Sequence, residues 1–225
     1  IYDSRISLKE ENELNQHFFG VTILTPDNTF DDNKATLMYF TEIEDVLHFI
    51  YLLPFSHNKA LVESTVFSKK ILNEKWYRNK IEKYLKDNSI KKIKELSTEK
   101  GTIPMYLINM SYNPDPNIIN IGIRGGACKA STGYAFAFMI KQIQLLKKNY
   151  TSKSIHNFVD RNMDRVFLNY LKNNSEKGLS FIKLAKNLNG NEFQSFMMGQ
   201  SKIMTKIKII KSMPKLPFIK AFLGI

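Results

Sequence analysis

The chain is nearly without cysteine. Cys128 stands alone among 225 residues, so no intrachain disulfide forms, which suits a reducing compartment. A zinc site built on several cysteines is excluded for the same reason. The four histidines, His17, His48, His57 and His156, are scattered without metal-ligand spacing, and no metal site is expected. No apolar run approaches the ~18 residues that span a bilayer, and no secretory leader is visible from Ile1. Helix-turn-helix, zinc-finger and other nucleic-acid signatures are missing too. Acid is in deficit: 21 Asp and Glu face 33 Lys and Arg, a net charge of +12. Basic chains favour polyanions or anionic membranes, although a Lys/Asn/Ile-rich composition also yields a merely solvated lysine surface.

What is present points to a folded chain. Hydrophobic residues make up 43% and aromatics 12%, too many for disorder. The length allows one large or two small domains. Residues 1–68 read mostly as strands. Val46–Phe55 and Ala60–Phe67 flank a polar Ser56–Lys59 step and predict an antiparallel hairpin. Asn73–Lys86 reads as a helix with Trp76, Ile81, Tyr84 and Leu85 as its apolar stripe. Lys91–Lys100 reads as a charged connector, Ile103–Ile108 as a strand and Asn113–Asn117 as a loop. Phe136, Met139, Ile140, Ile143 and Leu146 recur at helical spacing. From Thr151 the pattern is helical: one long helix marked by Ile155 to Leu171, then Leu179–Leu188 and Glu192–Met198, broken at Gly178, Asn189-Gly190 and Gly199. The expected class is α+β, a mixed flavoprotein-type fold with a β-rich domain over 1–149 and a helical segment over 150–225.

The tail from Lys202 to Ile225 holds six lysines and no acid, mixed with Ile203, Met204, Ile207, Ile210, Leu216, Phe218, Phe222 and Leu223. That composition suits a basic amphipathic segment on an anionic bilayer. A helix docked on its own domain with lysines outward is the other reading.

The densest motif is Ile118–Phe138. A strand-like run, Ile118 to Ile123, feeds Gly125 and Gly126, and Ser131-Thr132-Gly133 opens a helix-like segment. Glycine admits close approach to a ligand, Ser or Thr makes a good helix cap, and a helix N terminus suits a phosphate or anionic ring. The segment reads as a cofactor cradle. Strand-Gly-Gly-helix turns also occur as plain tight connections.

With the other blocks in order, this segment resembles the flavin-dependent lycopene cyclases that form β-ionone rings in carotenoids. Tyr2-Asp3-Ser4-Arg5 is similar to the family's Asp-x-Arg step, and Gln16-His17-Phe18-Phe19-Gly20 to its Gln-x-Phe-x-Gly block. Phe49–Ser56 and Ala60–Thr65 resemble the blocks carrying the catalytic acid. Gly122–Tyr134 resembles the Gly-x-x-Gly-Gly signature, and Met213–Phe218 a tail motif. The family's Thr-Leu-Met block continues with Asp, whereas Thr36-Leu37-Met38 continues with Tyr39. Cys128 and Ala130 stand where Thr and Pro are common. Relatives begin with a Rossmann-like βαβ unit whose Gly-x-Gly-x-x-Gly loop holds the ADP part of FAD. No such motif occurs here, so the sequence reads as a piece of a longer protein, expected not to hold FAD tightly by itself.

Glu63 is the candidate acid. On an alternating strand Leu61, Glu63, Thr65 and Phe67 share one face and Val62, Ser64 and Val66 the other. Apolar neighbours would keep its carboxyl protonated near neutrality, as a general acid acting on a hydrocarbon requires. An edge-strand glutamate facing water is the alternative. By the resemblance, Glu63 protonates a terminal double bond of lycopene, the neighbouring double bond closes a six-membered ring, and proton loss gives the β-ring without net redox change. The resemblance further implies reduced FAD, with NAD(P)H as reductant, placed by Gly125, Gly126, Lys129, Ser131, Thr132 and Gly133, with Asp3 and Arg5 nearby. It implies a polyene channel lined by Tyr51, Phe55 and Phe67, with plain core aromatics as the other reading. It also implies lycopene and other carotenoids as partners, possible contact with other enzymes of the same pathway, and a cytoplasmic enzyme peripheral to the inner face of the membrane. His17 reads as structural. Two alternatives stand: a related FAD-dependent isoprenoid oxidoreductase, such as an epoxidase or prenyl reductase, which needs no acid at 63, and a basic membrane- or nucleic-acid-binding module.

Overall fold

The computed structural model describes residues 1–5, 13–41, 46–108, 115–148, 155–173 and 186–224. In chain order its elements are β1 (Tyr2–Asp3), β2 (Asn15–Leu24), β3 (Thr36–Phe40), β4 (Leu47–Ser56), β5 (Lys59–Ser68), α1 (Glu74–Asp87), β6 (Lys94–Pro104), β7 (Ile119–Asn120), α2 (Phe136–Lys147), α3 (Phe158–Asn173), α4 (Gly190–Met197), α5 (Ile203–Ser212) and α6 (Lys215–Leu223). The class is α+β. Two compact units divide it: one rests on Asn15–Ile103, and the other joins Ile1–Leu14 to Pro104–Asn174 and Leu179–Ile225. Residues 149 and 150, where the sequence suggests a boundary, lie outside the described residues, as do 179–185 of an expected helix.

The first unit is a sheet of order β3-β4-β5-β2-β6 with one helix. β4 and β5 form the expected hairpin around His57-Asn58, in antiparallel register Tyr51↔Glu63 and Phe49↔Thr65. β5 also pairs antiparallel with β2, Gly20↔Glu63 and Phe18↔Thr65. Strand side chains alternate, so every second residue faces α1. Phe19, Val21, Ile23, Ile50, Val62 and Val66 pack there against Tyr77, Ile81, Tyr84 and Leu85. Each such large apolar side chain contributes roughly 1.5–3 kcal/mol when fully buried. Asn73 caps α1, accepting the Trp76 N–H at 2.9 Å. Tyr77, outside the expected stripe, is among its buried residues, and Trp76 is only partly covered.

The charged stretch over 91–100 proves not to be a connector. β6 begins at Lys94 and ends at Pro104, so the strand expected over 103–108 lies earlier. An edge strand tolerates Lys and Glu, because one rim faces water and charge there blocks edge-to-edge association. β3 pairs with β4 through a register shift between Thr36 and Tyr39. Met38, within that shift, takes a left-handed φ of 55°.

In the second unit β1 and β7 pair in parallel, Asp3 opposite Asn120. The strand expected over 118–123 is only Ile119–Asn120, and a run of turns follows. α2 starts at Phe136 with Ala135 at its N-cap and no side-chain cap bond, so Ser131 and Thr132 do not cap it. Phe138 and Gln142 are its buried residues, whereas Phe136, Ile140 and Ile143 of the expected stripe face outward. α3 buries Phe167, Leu168, Tyr170 and Leu171 and packs on α6, with Tyr170 and Phe218 stacked at 4.4 Å.

Candidate active site

Glu63 takes its place at the centre of the sheet, on the face opposite α1. Its lateral neighbours are Tyr51 on β4 and Gly20 on β2. Phe49 and Phe67, on the same face, are buried and meet edge to face at 5.4 Å. Phe49 also contacts Tyr51 at 5.3 Å. Thr65 donates its hydroxyl to Glu63 Oε1 at 2.7 Å. Burial pushes the Glu63 carboxyl from 4.5 to about 7. The Thr65 bond opposes the rise, while Glu99 on β6 adds to it by charge and hydrogen bonding. The Tyr51 phenol is also raised, first by burial and then by the Glu63 charge. The result is a carboxyl whose protonated form persists up to about neutrality among aromatic rings, the condition for a proton donor to an apolar substrate. Of the three aromatics expected along a channel, Tyr51 adjoins Glu63 and Phe67 is buried on the same face, whereas Phe55 is 60% exposed near the strand end, with Lys59 Nζ 5.7 Å from its ring.

The helix-facing side of the same sheet carries two buried imidazoles. His17 Nδ1 meets the Tyr77 hydroxyl and its Nε2 lies 2.8 Å from Ser68 Oγ. His48 Nδ1 lies 2.6 Å from Thr41 Oγ1, and its Nε2 lies 2.8 Å from Ser64 Oγ. Burial lowers His17 to about 4 and His48 to about 3, with the Lys80 charge adding to the latter. His17 thus links β2 to α1 through Tyr77, whereas His48 bonds Thr41 and Ser64 and meets Trp76 of α1 edge to face at 5.2 Å.

The glycine loop belongs to the other unit. Gly122, Gly126 and Gly133 adopt positive φ, at 61°, 73° and 72°. Gln142 clamps the loop: its Oε1 accepts the Gly122 N–H at 2.7 Å, and its Nε2 donates to the Gly125 carbonyl at 3.2 Å. A Cβ on Gly125 would stand 2.4 Å from both Asn120 O and Gln142 Nε2, so close internal packing itself requires glycine there. On Gly122 an added Cβ would meet Met139 Cε and Ser4 Cβ at 3.9 Å, ordinary van der Waals contact. The N–H groups of Thr132 and Gly133, expected to face a flavin, instead donate to Lys129 O at 3.1 and 2.8 Å.

Lys129 is not a surface charge. It is 1% exposed, and its Nζ pairs with Asp164 Oδ1 at 2.6 Å; Ser131 donates to the same oxygen at 2.6 Å. Lys129 Nζ also lies 4.5 Å from the Phe196 ring centroid. Its charge is thus balanced within the protein. Asp3 binds Arg5 through both carboxylate oxygens, at 2.9 and 3.0 Å, and lies 3.2 Å from Arg124 Nε. The Arg5 hydrogen bonds hold its carboxyl far below the usual range. One carboxylate between two guanidiniums leaves this corner net positive. That net positive charge suits an anionic group.

The tail forms α5 and α6, and with α3 they border an apolar groove of about 940 Å³, with Phe158, Val166, Ile210, Phe218 and Phe222 on its walls and Ser131 and Asp164 at its floor. Outside it, Ile203, Met204 and Leu216 are exposed. Lys206 is the tail lysine that turns inward, to Asp160 at 2.7 Å. Among the described residues no helix is long and apolar enough to cross a membrane.

Sequence reasoning missed Glu99, Asp164 and Gln142. Each acts through a partner 17 or more positions away, and no local pattern marks it. A family model described as "Lycopene cyclase protein" matches residues 3–223. Among solved structures, a geranylgeranyl bacteriochlorophyll reductase-like protein from Thermoplasma acidophilum is similar, at 13% identity and a TM-score of 0.50. The match covers 97% of this chain and 56% of that one, so the chain spans little more than half of its length. At that identity the likeness speaks for the fold alone. No curated protein matches the chain.

Proposed function

Because the chain belongs to the lycopene cyclase family, we propose that it provides the acid-bearing and flavin-facing parts of a lycopene β-cyclase, an enzyme that closes the linear ends of lycopene into β-ionone rings on the way to β-carotene. The observation that carries this reading is the placement of Glu63: a carboxyl bonded by Thr65 on a sheet face rich in aromatic rings, where burial raises it to about 7. A proton from Glu63 goes to the terminal carbon–carbon double bond and leaves a tertiary cation. Electrons of the neighbouring double bond close the six-membered ring, and the new cation loses a proton from an adjacent ring carbon. Atoms balance within the substrate, which is isomerised.

Tyr51, Phe49 and Phe67 present ring faces and edges beside the acid, and ring faces stabilise a passing cation. Phe49 and Phe67 also help keep water, a competing nucleophile, from the acid. Reduced FAD, with NAD(P)H as its reductant, would supply negative charge against the cation when bound. The positive corner of Asp3, Arg5 and Arg124 would hold its anionic portion. Gly125, Gly126, Lys129, Ser131, Thr132 and Gly133 would keep that loop in shape through the Gln142 clamp and the buried Lys129–Asp164 pair. For the hydrophobic substrate the enzyme works peripherally at the inner face of the membrane, through the exposed apolar residues and lysines of α5 and α6.

The test is pigment chromatography of lycopene-accumulating bacteria expressing the full-length protein or its Glu63→Gln variant. Conversion to β-carotene that the substitution abolishes is the expected result. Unchanged lycopene with soluble, flavin-loaded wild-type protein overturns the cyclase reading and favours a redox flavoprotein of another isoprenoid.

A further inference from the structure

Across the sheet at the level of the acid, the side chains do not form an ordinary row. Tyr51 and Gly20 flank Glu63, and β6 lies beyond β2. A Cβ on Gly20 would stand 3.0 Å from Glu99 Cγ and 3.3 Å from Glu99 Oε1. The Glu99 side chain therefore lies flat over Gly20, pointing inward across the sheet. The next position behaves in the opposite sense: Gly101 on β6 lies under the Phe18 ring, whose nearest carbons would be 2.5 and 2.9 Å from an added Cβ. Neighbouring strands lie about 4.8 Å apart, so Glu63 and Glu99, two strands apart, meet only if the residue between them has no side chain.

We propose that Glu99 is the positioning residue of a proton-sharing carboxyl pair with Glu63, that Gly20 is the gap through which the two meet, and that Glu99 reloads the acid with solvent protons. The proposal rests on the reading of Glu63 as the acid. Two carboxyls this close do not both ionise readily, so the pair retains one proton where a lone surface glutamate has none. Among the described residues, the other polar groups shown to interact with Glu63 are the Tyr51 phenol on β4 and the Thr65 hydroxyl on β5. Neither is an anion near neutrality, and Gly20 brings no charge. Glu99 itself is exposed on the edge strand, in contact with water. When Glu63 has given the shared proton to the alkene, Glu99 takes one from solvent and passes it across the hydrogen bond to the Glu63 carboxylate. Each ring closure also releases one proton from the ring carbon, so no net proton is consumed.

The experiment uses purified full-length protein and lycopene, with the cyclisation rate followed from about pH 5 to 9 for wild type, Glu63→Gln, Glu99→Gln, Glu99→Asp and Gly20→Ala. Glu99→Gln is expected to lower the rate about tenfold or more and to move the high-pH limb about one pH unit toward acid. Glu99→Asp keeps the charge but not the reach and falls between. Gly20→Ala moves the same limb with Glu99 intact. The same displacement is expected without turnover, in melting temperature against pH. If Gly20→Ala does not fold, the Glu99 variants decide, since that side chain is exposed. An inactive Glu63→Gln together with wild-type profiles for the Glu99 variants overturns this inference alone. An active Glu63→Gln overturns the acid reading and the inference with it.

Discussion

Replacing Glu63 with glutamine is expected to stabilise the protein at alkaline pH while abolishing turnover. The folded-state carboxyl titrates at about 7, against 4.5 ordinarily. Between those values the native protein holds a proton that the unfolded chain has released, so stability is fully present below about pH 4.5 and declines as pH rises through 7. At about 1.4 kcal/mol per pH unit the full effect is about 3.5 kcal/mol. Glu63 is only partly covered, so roughly half of that, about 1.7 kcal/mol, is the working figure. The amide keeps the shape and removes the titration. At about 2–4 °C per kcal/mol for a chain of this size, the variant should melt about 3–7 °C above wild type at pH 9 and within about a degree of it at pH 5. Differential scanning fluorimetry of both full-length proteins against pH reads this directly. Parallel curves, separated equally at every pH, would refute the claim that burial holds Glu63 protonated, whatever happens to activity.

The two buried histidines act with the opposite sign. His17 and His48 titrate at about 4 and 3 when folded, so stability should fall as pH drops below 6.5, and His48→Asn should flatten that acid limb in melts. Lys129→Met is expected to cost about 3–5 kcal/mol by stranding Asp164, while Lys129→Met with Asp164→Leu recovers most of it; urea titration separates the two. Gly125→Ala must displace the Asn120 carbonyl or the Gln142 amide and should cost about 1–3 kcal/mol, seen as a lower melting temperature. Reversing Lys211, Lys215 and Lys220 to Glu should weaken binding to anionic vesicles at least about tenfold and leave neutral vesicles unaffected in a sedimentation assay.

Local patterns were readable where one face of one element decides the matter. The β4–β5 hairpin, the parity that puts Glu63 opposite Val62 and Val66, and the extent of α1 to within a residue all follow from alternation and periodicity within a few residues. β6 was not readable, because charges that look like a linker are permitted on a sheet edge. The start of α2 was misplaced because Ser131 and Thr132 have tertiary work: Ser131 bonds Asp164, and Thr132 closes a turn on Lys129. The same blindness hid the fate of Lys129, whose partner lies 35 positions downstream. The expected α2 stripe is apolar but outward-facing, and periodicity cannot say which side of a helix is covered.

The alternation of the central sheet also bears on how such an enzyme can change. Even-numbered residues of β4 and β5 hold the helix, while odd-numbered ones surround the acid. Tyr51 is therefore a position where substitution alters the surroundings of the acid without touching the packing against α1. Insertion of one residue within β5 has no such latitude, since it would turn Glu63 into the helix interface and bring Val62 or Ser64 to the reacting face. Diversity in this lineage should accumulate by substitution at alternate positions, with strand lengths kept fixed.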